Sequence, residues 1–76
     1  MIKELDDVIL TTDVPEHGLL AGDIGTIVLI HKKGAGYEIE FTATDGSMLA
    51  VVTLLANQVR PTDAKEIAHS RLITQT

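Results

Sequence analysis

Hydrophobic and polar positions alternate most cleanly over residues 37–41, where Tyr37, Ile39 and Phe41 share one face and Glu38 and Glu40 the other. A period of two marks a half-buried strand, so this segment predicts a strand with its aromatic side chains inward. Residues 23–31, DIGTIVLIH, are apolar on both faces. That pattern predicts a strand covered on both sides, with Ile24, Val28 and Ile30 turned to the core and Ile27 and Leu29 turned away from it. Residues 5–11 (LDDVILT) and 47–55 (SMLAVVTLL) are rich in β-branched and aliphatic side chains and predict two more strands. The second is again two-sided, with Leu49, Val51 and Leu55 outward. Val59, between a short turn at residues 56–58 and Pro61, predicts a brief fifth strand.

The segments between these runs carry turn chemistry. KKGAG (32–36) and ATDG (43–46) read as hairpin connections, the second through an Asp-Gly pair. Residues 12–23 contain Pro15, Gly18 and Gly22 and no helical period. Because Pro15 holds Val14 out of the helical region, they predict a long irregular loop. In that reading Gly18 and Gly22 turn the loop back, Asp23 accepts hydrogen bonds from its amides, and Gly25 lets the next strand coil sharply. Beyond Pro61, Asp63 and Glu66 have capping-box spacing, and Ala64, Ile67, Ala68, Arg71 and Leu72 recur at helical spacing. A helix of two to three turns is expected there. It is stable in water only if its apolar side docks. The expected fold class is mainly β, a small SH3-like five-stranded barrel over residues 1–61 with a short C-terminal α-helix in a tail over residues 62–76.

Taken in order, the long loop, AGDIGTIV, YEIEF, DG, AVVTL and QVRP resemble a family of small bacterial proteins, the domain-of-unknown-function 4926 family, over about residues 1–61. The resemblance implies an SH3-like barrel, similar to the barrel in the β subunit of nitrile hydratase. It implies no activity and transfers no active residue. The tail from Thr62 lies outside the shared pattern.

Composition narrows the function classes. With 76 residues the chain is one domain. It has no cysteine, which excludes disulfides and thiolate metal sites. Net charge is −5 from eleven acidic and six scattered basic side chains, which repels a phosphate backbone, so no nucleic-acid partner is expected. No stretch has the length or apolarity of a membrane span and the N-terminus lacks a signal-peptide pattern, so no membrane partner is expected and a cytoplasmic location is the default.

Candidate chemistry is sparse. His17, His31 and His69 lack a second ligand at the spacings zinc sites use, and read as surface histidines. Asp6, Asp7, Asp13, Glu16 and Asp23 cluster in sequence, yet they match no calcium-loop pattern and are explained by solubility and by protection of a sheet edge. No serine or threonine sits in a nucleophile elbow. The glycines of GDIG lead into a strand and not a helix, unlike a phosphate loop. No catalytic, cofactor-binding or metal-ligating residue is assigned, no cofactor is expected, and the chain reads as non-enzymatic.

What remains is apolar surface. Ile27, Leu29, Leu49, Val51 and Leu55 on the outward side, with Ile67 and Leu72 on the tail helix, exceed what one small core takes in, and exposed apolar patches mark interaction sites. The expected function is a protein-protein interaction module or homo-oligomer, such as the small partner in a two-gene bacterial module, with polar contacts from the first loop. The alternative is an accessory subunit or metal-delivery protein related to nitrile-hydratase-like barrels.

Overall fold

The alternating and β-branched segments form five antiparallel strands in one sheet: β1 (Asp7–Leu10), β2 (Ile24–His31), β3 (Gly36–Thr42), β4 (Met48–Leu55) and β5 (Val59–Pro61). These come from a computed structural model that describes residues 2–73. Across the sheet the order is β4-β3-β2-β1-β5. β1 to β4 lie adjacent in chain order, β1 and β2 joined by the long first loop and the next two pairs by short turns, and the chain then returns to lay β5 beside β1. β4 and β5 are the two edges.

The inward residues of β3 behave as their pattern predicts, since Tyr37, Ile39 and Phe41 are buried together with Val8, Leu10, Val52, Leu54 and Val59. β2 does not. Ile27 is completely buried (0 % exposed), whereas Ile24 and Val28 are 41 % and 39 % exposed. The expectation that Ile27 faces outward, and that Ile24 and Val28 face the core, is therefore corrected. The cause is a β-bulge: Ile27 pairs with Ile39, but Leu29 pairs with Glu38, leaving Val28 as the extra residue. A bulge inverts the facing of every residue beyond it. Gly25 and Ile27 point to the core before it, and Ile30 packs against the core after it.

Gly25 is needed for space rather than for coiling. Its φ is not in the left-handed range, and a Cβ there would lie 2.5 Å from Ile39 Cγ2 and 2.8 Å from Phe41 Cε1. The core has grown into the room the glycine leaves.

The first loop is ordered by its own groups. Pro15–His17 make a single 3₁₀ turn closed by Gly18 at φ 70°, and Val14 and Leu19 bridge each other and enter the core. Asp23 Oδ2 accepts from the Leu20 amide (2.9 Å) and Asp13 Oδ1 from the Ala21 amide (2.8 Å), so both carboxylates serve the loop. The loop thus supplies two core side chains, which its irregular pattern concealed.

The expected C-terminal helix is absent from the described residues. Asp63 and Glu66 do form the anticipated turn, with the Asp63 amide donating to Glu66 Oε1 and the Glu66 amide to the Asp63 carbonyl, but no helix follows. Ile67 and Leu72 are 92 % and 91 % exposed. A short helix needs a docked apolar face to offset its nucleation cost, and this one has none. Beyond that turn the segment has no regular secondary structure through Ile73, and residues 74–76 of the predicted tail lie outside the described residues.

Candidate functional site

The outer face of the sheet does not gather the predicted interaction residues into one apolar patch. Leu29 stands on β2, Val51 and Leu55 stand on β4, and the strand between them presents glutamates. Register places Glu40 between Thr26 and Val51, and Glu38 between Leu29 and Thr53. Glu38 is itself engaged with His31, Nε2 to Oε2 at 2.9 Å. Ile27 is removed from the set by burial, and Ile67 and Leu72 sit exposed on the irregular tail. Leu49 is half-buried and lines a cleft beneath that tail.

The backbone of β4 gives a more definite feature. Ala56 donates its amide to the Ala35 carbonyl (3.1 Å), one step past the Gly36–Leu55 pair. Hydrogen-bonded and non-hydrogen-bonded residues alternate in an antiparallel pair, so Leu54 and Val52 turn their polar groups to β3 while Leu55, Thr53 and Val51 turn theirs to the open edge. The Leu55 amide is capped by Gln58 Oε1 (2.8 Å). Val51 and Thr53 therefore present N–H and C=O groups along the edge, flanked by exposed Met48 and Leu55 side chains.

A second feature is the cleft of about 380 Å³ between the tail and the open end of the sheet, floored by Leu19, Ile24, Phe41 and Leu49 and roofed by residues 69–73. Arg71 fastens the roof: Nε and Nη2 donate to Asp23 at 2.9 and 2.6 Å, and Nη2 also donates to the Gly18 carbonyl at 2.9 Å. Partial burial pushes the Asp23 carboxyl up, but the Arg71 guanidinium and the Leu20 amide outweigh it and hold the group below its ordinary value. The same pairing raises Arg71. Further up the tail, Arg60 and the Asp63 amide hold Glu66 down at about 2. Nε and Nη2 are thus engaged within the chain, so Arg71 acts as a tether between the tail and the first loop.

The histidines do not converge. His17 lies in the 3₁₀ turn, His31 at the end of β2 and His69 in the tail, and among the described residues no group of three or more His, Asp or Glu side chains is arranged to hold a metal. The sequence-adjacent acids are dispersed into separate structural roles. Asp6 accepts from the Lys3 amide, Asp7 from the Thr26 hydroxyl and Asp13 from the Ala21 amide.

A family model described as a domain of unknown function, DUF4926, matches residues 4–61. The chain belongs to the DUF4926 family. That match covers all five strands and ends where β5 ends, so the Asp23 half of the tether lies inside the family domain and Arg71 outside it. No curated protein and no solved structure matches the chain. Sequence reasoning missed the β4 edge because strand order cannot be read from a linear pattern. The available signal was the contrast between the uncharged run at residues 48–55 and the Arg60-Pro61 pair.

Proposed function

We propose that this protein is a non-enzymatic interaction module, a small SH3-like barrel that binds protein by adding a strand at the β4 edge. The observation carrying this reading is the pair of outward Val51 and Thr53 backbones on an eight-residue strand free of charge. Main-chain hydrogen bonds supply affinity in strand addition, and alternate side chains supply specificity. On this reading the mixed Leu29, Glu38, Val51 surface is a rim, and the interaction does not use the tail as a docking helix.

The test is capture from native host extract with wild-type protein, Val51→Lys and Leu29→Lys. Association through the edge predicts that Val51→Lys loses every specifically captured protein, itself included, while Leu29→Lys keeps them. Capture that survives Val51→Lys removes the edge from the account.

A further inference from the structure

The two edges of this sheet are built in opposite ways. β5 is three residues long and contains Arg60 and Pro61, whereas β4 is eight residues long and contains no charge, proline or glycine. Short length, charge and proline are the devices that stop an edge from pairing. β5 has all of them, whereas β4 has none of the three over residues 50–55 and is interrupted only by a bulge at Leu49 near its start, although both belong to one small sheet whose chain carries many charges elsewhere.

β4 is also complementary to itself. Reversed about Val52, it sets Val51 opposite Thr53 of a second copy and Thr53 opposite Val51. These are the two residues whose polar groups leave the sheet, so each pair exchanges both of its N–H···O bonds. The regular register runs over residues 50–54, because a bulge leaves Leu49 without a partner on β3 and Leu49 lines the cleft beneath the tail. No charged side chain lies on either strand at the seam, which offers nothing to a charged peptide. The nearest acidic rows, Glu38 and Glu40 on β3, stand three strand spacings from their counterparts, about 14 Å at ~4.8 Å per spacing. That exceeds the ~8 Å screening length of physiological salt, so the net negative charge does not oppose the seam.

We infer that β4 pairs antiparallel with β4 of a second copy about a two-fold axis through Val52, joining two five-stranded sheets into one. Such an interface is isologous and closes on itself, giving a dimer and not a filament. The inference rests on the edge reading above and names its occupant.

Sedimentation equilibrium of the full chain from micromolar to millimolar concentration tests it, with Val51→Lys, Thr53→Pro and Leu29→Lys alongside. The Thr53 amide faces away from β3, so proline there removes an edge donor without touching the internal ladder. Wild type and Leu29→Lys are expected to reach twice the 8.2 kDa chain mass. Val51→Lys and Thr53→Pro are expected to keep the wild-type circular dichroism spectrum and weaken the dimer by about tenfold or more, ~1.4 kcal/mol. Should Val51→Lys fail to fold, Thr53→Pro decides, together with oxidation of an equimolar mixture of Val51→Cys and Thr53→Cys chains, which should yield the mixed disulfide dimer. A wild-type protein that stays at 8.2 kDa throughout overturns the second copy as occupant while leaving the edge reading to the capture experiment. A wild-type dimer that both edge variants retain overturns the inference and the edge reading together.

Discussion

Gly25→Ala is the sharpest single perturbation of the packing, because two effects of opposite sign compete. Gly25 has strand dihedrals that alanine accepts, and at an unstrained site such a change stabilises a protein by ~0.4–1 kcal/mol through the unfolded state. Here the new Cβ would stand 2.5 Å from Ile39 Cγ2 and 2.8 and 3.0 Å from Phe41 Cε1 and Cδ1. Ile39 and Phe41 are fully packed, and overfilling a core costs about 1–3 kcal/mol. The clash wins, for a net loss of about 1–2 kcal/mol and a fall in Tm of roughly 5–15 °C for a domain of this size. Urea and thermal unfolding followed by circular dichroism measure it. Ile39→Leu moves the offending methyl off the β-carbon, so the double variant should recover about 1 kcal/mol relative to the sum of the singles. A Gly25→Ala protein as stable as wild type, or more so, would refute the close-approach explanation.

Three further outcomes follow from named contacts. Ile27→Ala should destabilise by about 2–5 kcal/mol as a buried truncation, whereas Leu29→Ala, beyond the bulge and half exposed, should cost less than about 1 kcal/mol; equal losses in urea titrations would remove the bulge. The folded Asp23 carboxyl titrates below 3.8, so its contact with Arg71 is fully present above that pH and is lost as pH falls through the lowered value; the Arg71 Nε–H resonance should stay protected at pH 5 and vanish only on stronger acidification. Arg71→Ala should leave the unfolding midpoint of the sheet unchanged while speeding tryptic cleavage after Lys65, and unchanged cleavage would show that the tether does not hold the tail.

The sheet was legible in the sequence wherever one effect dominated. YEIEF declares its inward face because glutamates alternate with aromatic and aliphatic side chains, and the Asp45-Gly46 pair and the glycines of KKGAG place the hairpin turns. β2 misleads because both its faces are apolar, so nothing in its composition opposes a one-residue shift, and the bulge at Val28 that inverts it is set by pairing with β3. Val14 and Leu19 enter the core from a loop whose irregularity hides any period. The tail shows a correct local signal overruled by the absence of tertiary support: the Asp63–Glu66 turn forms, yet no surface receives the apolar face. Arg71 and Asp23 meet across a separation that only opposite charge hints at. The edge status of β4 follows from strand order, a property of the whole sheet.

Residue-resolved amide hydrogen exchange, read at dilute and at high protein concentration, tests the β4 edge most directly. The Val51 and Thr53 amides should exchange as open groups in the dilute protein and become protected as the mass doubles, while the Arg60 amide, which faces β1 in the internal ladder, keeps one rate throughout. Doubling of mass with Val51 and Thr53 still exchanging freely would contradict the account.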